Sequence, residues 1–359
     1  MNRTLMVMAA GTGGHIMPGL AVANELRGRG WNVTWLGTEA GMENTLVPNQ
    51  GIPLDVIDFG GLRGKGLWHA LTGGLRLLIA MRQCWRILAT RRPDAVLGMG
   101  GYGTVPGGMM ASLRNIPLVI HNADSALLLS NRFLAPLADC LSFGFASIAS
   151  KRYGVRAHVT GNPVRPEIAA LPAPELRYQG RGGPLRLLVI GGSLGARVLN
   201  RTLPETMRLL SRMERPAIVH QTGANDAGSV RAAYSAAHVL AEVRPFIDDM
   251  PAQYAAADVV LCRAGAITIS ELAAAGVASI LVPLTVSTTN HQRDNALYMH
   301  AAGAAIHLPQ PDLTPEALAQ LLRGLDRDRL LDMAIAARVL AEPDATARVA
   351  TLCEETAKR

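Results

Sequence analysis

A chain of 359 residues exceeds one ordinary domain and fits two of about 170 residues each. It is 49% apolar but only 4% aromatic, enough to bury two sizeable cores and suited to helices stacked on parallel strands, unlike an all-β sandwich. The formal charge of +7 favours an anionic partner, and the lack of a long Lys/Arg run or aromatic platform argues against nucleic acid, leaving anionic lipid or a phosphorylated substrate.

In chain order, an apolar run at 5–10 leads into Gly11-Thr12-Gly13-Gly14-His15, followed by a helical pattern at 20–26. The run lacks the basic region of a signal peptide and passes straight into the glycines, so it reads as a first strand. A strand feeding a glycine turn feeding a helix brings backbone N–H groups and a positive dipole end to one point, which suits phosphate. The turn is neither a dinucleotide fingerprint, since Ile16 stands where GxGxxG needs glycine, nor a P-loop, since no GK[ST] follows. His15 falls where turn meets helix, and Pro18 is expected in the helix's first turn. The helix N-terminus disfavours imidazolium, so His15 is expected to be neutral, either as a general base or as a partner of the loop backbone.

Residues 60–92 contain Arg63, Lys65, Arg76, Arg82, Arg86, Arg91 and Arg92 and no acidic residue. Trp68 and Leu71 accompany them, and Leu78, Met81, Trp85 and Leu88 have the spacing of one helix face, flanked by Arg82 and Arg86. Two readings stand: a helix packing on the sheet, or a surface lying on anionic lipid with Trp and Leu in the interface and Arg at the headgroups. No apolar run reaches the roughly 18 residues that span a bilayer.

Strand-like runs at 33–36, 95–97, 118–120 and 157–159, then at 187–190, 217–220, 239–243, 259–262 and 279–282, alternate with helical patterns. The alternation implies βαβ units and parallel sheets, with ligands beyond the carboxyl ends of the strands. A boundary is expected near Gly161-Asn162-Pro163, giving domains 1–162 and 163–342, with 171–184 as loop. The helical pattern 314–358 breaks at Glu342-Pro343-Asp344, and Pro343 is expected to turn the last helix, about 343–359, back onto the first domain.

The second domain repeats the opening motif: a run at 185–190, then Gly191-Gly192-Ser193-Leu194-Gly195, then a helical pattern at 198–210. Thr268-Ile269-Ser270-Glu271 is a capping-box pattern, with Thr268 as N-cap and Glu271 at N3; the alternative is that Glu271 accepts hydrogen bonds from a ribose diol. His291-Gln292 and Asn295 begin another helix and suit either a helix start or sugar hydroxyls. Cys84, Cys140, Cys262 and Cys353 are far apart with no ligand spacing, the pattern of reduced thiols in a cytoplasmic protein without a metal site.

With these residues assembled, the chain resembles the MurG glycosyltransferases. The resemblance is carried by GTGGHIMPGLAVANEL (11–26), WLGTEAGME (35–43), GLRGKGLW (61–68), VLGMGGYGTVPGG (96–108), TGNPVR (160–165), IGGSLGARVLN (190–200), HQTG (220–223), FIDDM (246–250), ADVVLCRAGAITISELAAAG (257–276) and HQRDNA (291–296). It implies a GT-B architecture, two Rossmann-like parallel-sheet domains with an interdomain cleft. The implied activity is inverting transfer of N-acetylglucosamine from UDP-N-acetylglucosamine to the C4 hydroxyl of undecaprenyl-linked lipid I, giving lipid II for peptidoglycan. The implied setting is the cytoplasmic face of the bacterial inner membrane, held peripherally on its anionic surface, with cell-wall synthesis and division proteins as partners and no metal or other cofactor.

By motif match, the resemblance implies that His15 is the base and that Thr12, Gly13 and Gly14, beside it in the cleft, bind the donor. It places Asp124 near the donor sugar, Arg165 and Ser193 at the diphosphate, and Ile247 at the uracil through its backbone. Ala266, Ile267, Thr268, Ile269 and Ser270 would line the nucleotide pocket, with Glu271 on the ribose and Gln292 on the sugar, while Arg63, Lys65, Trp68, Arg82, Trp85 and Arg86 would face acceptor and membrane. The chain departs from the family pattern in His121-Asn122-Ala123-Asp124, where His-Glu-Gln-Asn is usual, and in Ala264, Leu194, Thr289-Asn290 and Ala10. An altered acceptor or a weakly active membrane scaffold are the alternatives that these departures raise.

Overall fold

Among the described residues every strand pairing is parallel, in two separate sheets. The computed structural model describes residues 3–60, 67–124, 126–146, 148–192, 195–284 and 291–358, with backbone alone at 67–72 and 148–149. The first sheet comprises β1 (Thr4–Ala9), β2 (Asn32–Thr38), β3 (Leu54–Ile57), β4 (Ala95–Gly100), β5 (Leu118–Asn122), β6 (Cys140–Phe143) and β7 (Ala157–Val159), in the order β3-β2-β1-β4-β5-β6-β7. The second comprises β8 (Arg186–Ile190), β9 (Ala217–Gln221), β10 (Ala241–Arg244), β11 (Val259–Cys262), β12 (Ala278–Leu281) and β13 (Ala305–His307), in the order β10-β9-β8-β11-β12-β13. Both are Rossmann-like: the order reverses at β1/β4 and at β8/β11, and ligands of such sheets bind beyond the strand ends at that reversal.

The strands read as nearly unbroken apolar runs because helices cover both faces. Along β1 the side chains alternate. Leu5, Val7 and Ala9 enter one core with Ile16, Leu20 and Leu26 of the helix Gly13–Gly28, whereas Met6 and Met8 enter another with Ala80, Cys84 and Leu88. Burying each large apolar side chain of this kind contributes roughly 1.5–3 kcal/mol. β3, β6 and β13 are strands that the sequence reading lacks. Each has only three or four residues, and a polar residue inside β3 (Asp55) and β6 (Ser142) shortens the apolar run that would reveal it.

The chain divides into two compact units, 1–165 with 344–359, and 166–343. The final helix, Ala345–Thr356, belongs to the first: Val349, Ala350 and Cys353 join the Leu5/Val7 core, and Glu354 bonds Arg29 at 2.8 Å and the Trp31 indole N–H at 3.0 Å. The stretch 171–184, expected to be loop, contains a short helix, Pro174–Tyr178, started by its proline.

The face expected of Leu78, Met81, Trp85 and Leu88 does not hold together. The helix Leu67–Arg91 turns Ala80, Cys84 and Leu88 into the core and leaves Leu75, Leu78, Ile79 and Trp85 exposed beside Arg82 and Arg86. Small residues at 80 and 84 let this helix approach the sheet, which displaces Trp85 outward.

Candidate active site

In the first unit β1 ends at Ala9, and two residues on comes Gly11, whose φ of +97° lies in the region that glycine alone enters freely. Thr12 is extended and caps the helix Gly13–Gly28, and its carbonyl accepts from the N–H groups of His15 (3.0 Å) and Ile16 (3.3 Å). The amides of Gly13 and Gly14 thus head the helix without partners in it. The glycines are themselves helical, so Pro18 sits in the second turn and not, as expected, in the first.

Opposite this turn, β1 and β4 slip out of register: Met8 pairs with Gly98 and Ala9 with Gly100. Met99 is therefore the extra residue of a bulge, and its carbonyl lies 3.2 Å from His15 Nδ1. Bulges re-aim groups in this way next to functional sites. Gly100 has φ +111°, and a Cβ there would meet the His15 ring at 2.8 Å, so the imidazole occupies the space that glycine leaves.

Burial pulls the His15 pKa below its ordinary value, against smaller upward pulls from the Asp124 charge and the Met99 carbonyl. Asp124 is half-buried at the end of β5, on a turn shaped by Asn122 Nδ2, which donates to the carbonyls of Asp124 (2.6 Å) and Ala126 (3.1 Å). Behind it His121 is wholly buried, with Nδ1 2.7 Å from Ser142 Oγ and Nε2 3.0 Å from Asn162 Oδ1. Burial lowers its pKa to about 4, so it is a neutral strut. Asn162 Nδ2 in turn donates to Ala123 O at 3.1 Å.

In the second unit β8 enters Gly191-Gly192, and Gly195 N–H donates to Gly192 O at 3.1 Å. A Cβ on Gly195, where φ is +75°, would overlap the Thr222 carbonyl. Gln221 ties this turn to the next loop: its Nε2 donates to Gly192 O at 3.1 Å, and its Oε1 accepts from Ile247 N–H at 3.3 Å. The Ile247 amide is therefore spent on Gln221. Below it His220 is buried between Tyr234 Oη (3.0 Å) and Asn200 Oδ1 (3.1 Å), its pKa lowered by burial to about 4.

After β11 the helix Ala266–Ala275 starts directly at Gly265. The expected capping box is thus absent: Thr268 lies in the first turn with Gly265 as N-cap, because extended Gly265 lets the helix begin three residues earlier. Glu271, buried in the second turn, accepts instead from Tyr254 Oη at 3.2 Å. Ala266 and Ile269 are buried, Ile267, Thr268 and Ser270 half-buried, and Ser270 Oγ donates to Ala266 O at 2.9 Å. Gln292 Oε1 accepts from Leu284 N–H at 2.9 Å, which leaves its amide nitrogen as the end to offer a ligand.

Two family models cover most of the chain: the glycosyltransferase family 28 N-terminal domain over 5–142 and its C-terminal domain over 186–349. Among curated proteins, the UDP-N-acetylglucosamine--N-acetylmuramyl-(pentapeptide) pyrophosphoryl-undecaprenol N-acetylglucosamine transferase of Methylibium petroleiphilum is 61% identical, covering 100% of this chain and 99% of its own. That of Chromobacterium violaceum is 58% identical over 99% of each. Among solved structures, Acinetobacter baumannii MurG superposes with a TM-score of 0.78 at 37% identity, covering 98% of this chain and 99% of its own. The chain belongs to the MurG family. The calicheamicin glycosyltransferase CalG4, with a TM-score of 0.68 at 15% identity over 100% of this chain and 99% of its own, shares the fold alone.

Of the positions singled out by the MurG resemblance, Ser193, Arg63 and Lys65 and the Trp68 side chain lie outside the described residues. Thr12, Gly13, Gly14 and His15 gather at the β1/β4 reversal with Asp124 nearby; Gly191 and residues 266–271 flank the β8/β11 reversal. Arg165 is half-buried and ends the first unit rather than starting the second. Sequence reasoning missed Gln221, Tyr254, His121 and Asn162. For Gln221 and His121 the only signal was membership of motifs, HQTG and the run at 121–124. All four cysteines are buried and free, and among the described residues no group of His, Cys, Asp and Glu could hold a metal ion.

Proposed function

We propose that this protein transfers N-acetylglucosamine from UDP-N-acetylglucosamine to the C4 hydroxyl of lipid I, forming lipid II with inversion at the anomeric carbon. The observation that carries this reading is end-to-end identity of 61% and 58% with transferases named for that reaction. The two glycine turns support it in kind: each follows a strand at the switch point of its sheet, and the first presents helix-start amides there.

In the proposed mechanism His15 is the base. A carbonyl only accepts, so the Met99 oxygen calls for the proton on Nδ1, and the neutral ring then carries its lone pair on Nε2. Nε2 takes the acceptor's hydroxyl proton as the oxygen attacks the anomeric carbon and the UDP oxygen leaves from the opposite face. Amides of the Gly191–Gly195 turn, with Ser193 and Arg165, stabilise the charge growing on the diphosphate. The Glu271 carboxylate accepts from the ribose hydroxyls, the Ile247 backbone meets the uracil, which for its amide requires Gln221 to yield, and Gln292 meets the sugar. As written, the reaction uses no metal or other cofactor.

For location, we read the protein as peripheral on the cytoplasmic face of the inner membrane. Among the described residues no helix is long and apolar enough to cross a membrane. The helix Thr104–Leu113 packs against Leu67–Arg91, and Leu129–Leu134 packs against Thr104–Leu113 in turn; on these two Leu113, Leu129 and Phe133 are exposed. Exposed apolar side chains on helices that also expose Arg76, Arg82, Arg86 and Arg132 suit an anionic bilayer, and cell-wall synthesis and division proteins working there are the partners in this reading.

The test is incubation with labelled UDP-N-acetylglucosamine and a lipid I analogue. A β-linked disaccharide product is expected; UDP binding without product would overturn the acceptor assignment.

A further inference from the structure

The segment Thr38-Glu39-Ala40-Gly41-Met42-Glu43 carries no role in the transfer as drawn, yet it contains a fully buried carboxylate. Glu43 is 0% exposed, and burying such a group is costly unless every acceptor site is matched. Here Oε2 accepts from Gly11 N–H at 3.0 Å, while Oε1 accepts from both Thr38 N–H and Thr38 Oγ1 at 2.9 Å. The neighbouring Met42 N–H donates to Gly11 O at 3.3 Å, so both backbone groups of Gly11 are held from this one segment. The glycines around it make room for the carboxylate. A Cβ on Gly41 would overlap the carboxylate itself, and one on Gly37 would meet Glu43 Cγ at 2.6 Å.

We propose that Glu43 is a positioning residue for the transfer, whose carboxylate links the end of β2 to Gly11 and so sets the glycine turn that presents Thr12 and His15. The inference rests on the reading of His15 as the base. Gly11 precedes Thr12, whose carbonyl receives the first helical amides, so a shift of Gly11 moves the start of the helix that carries the imidazole. Whichever way the amide of Glu43→Gln turns, either Gly11 N–H or Thr38 N–H loses its acceptor; Glu43→Ala removes the link entirely.

The test uses the full-length protein and combines turnover, UDP affinity and amide hydrogen exchange. Misplacing a reacting group by about 1 Å can cost roughly 10²-fold. Glu43→Ala is therefore expected to lower kcat by about that factor and Glu43→Gln by about tenfold, with UDP Kd within about twofold of the parent. Exchange should quicken at residues 11–16 while the rest of the first unit stays protected. Parental kcat in a folded Glu43→Ala protein would overturn the proposal, as would exchange that rises evenly across the first unit, the mark of a merely structural role. If Glu43→Ala does not fold, Glu43→Gln decides by the same measures. Exchange needs no acceptor, so failure of the parent to make lipid II would sink the functional reading while leaving the Glu43 link decidable.

Discussion

His15 Nδ1 lies 3.2 Å from the carbonyl oxygen of Met99, the residue by which β4 outruns β1. In an unbulged parallel ladder that carbonyl would face the neighbouring strand. Freed by the bulge, it orients the ring and selects its tautomer, leaving Nε2 as the basic atom.

Removing the imidazole tests this assignment. His15→Ala is expected to lower kcat roughly 10²–10⁴-fold while UDP affinity stays close to that of the parent. Single-turnover rates and UDP titration together check it, and near-parental turnover would show that another group takes the proton.

The pH profile tests the opposing influences on the ring. Burial, the largest, holds the His15 pKa below its ordinary 6.5, and the Asp124 charge offsets part of that. A base must be deprotonated, so turnover should fall as pH drops through this lowered pKa. Asp124→Asn removes an upward pull, so the acid limb should move to still lower pH. Movement to higher pH would mean that Asp124 does not act on His15 through its charge.

The two glycine turns and the parallel sheets were legible because local composition carries them: an apolar run, glycines and a helical period follow within about twenty residues. The contacts that organise the site were not. Gln221 meets Ile247 across 26 residues and His121 meets Asn162 across 41, and no periodicity links side chains joined only by the meeting of different strand ends. Thr268 misled for the opposite reason. A local pattern satisfied the capping rule, but the chain entering from β11 had already started the helix at Gly265.

Two buried histidines make stability depend on acid. His121 and His220 titrate at about 4 when folded against an ordinary 6.5, so the unfolded chain binds more protons between those values. Their contribution is complete above about pH 6.5 and is lost as pH falls toward 4, by roughly 3 kcal/mol for each. Denaturant titrations at pH 7 and 4.5 should show the loss, and His220→Gln should reduce it in the second unit. Equal stability of the parent at both pH values would sink this account.

Asp258 anchors the second unit. It is 0% exposed, with Oδ1 2.5 Å from Arg181 and Oδ2 3.2 Å from Arg327 and 2.9 Å from Arg186 N–H. Asp258→Ala leaves a buried guanidinium without its counter-charge and is expected to cost about 3–5 kcal/mol. Chemical denaturation checks the value; a loss below about 1 kcal/mol would place the pair in the class of exposed ion pairs.

The outward stripe of Leu67–Arg91 gives a prediction about lipid. Trp85, 43% exposed, lies under the Arg114 guanidinium, 4.5 Å from its ring centroid, which poses the indole at the surface. Trp85→Glu and Arg82→Glu should each weaken flotation with vesicles rich in anionic lipid, more so at low salt. Unchanged flotation would remove this helix from the membrane surface.

The discontinuity of the first unit bears on the order in which the molecule can be made. A ribosome delivers β1 well before the helix Ala345–Thr356, with the whole of 166–343 between them. At ordinary elongation rates that interval is on the order of ten seconds or more. Throughout it the Leu5/Val7 face lacks the cover of Val349, Ala350 and Cys353. The unit whose first strands are translated earliest thus waits for a helix encoded beyond the whole second unit, and the nascent chain has an apolar sheet face to shield until that helix emerges.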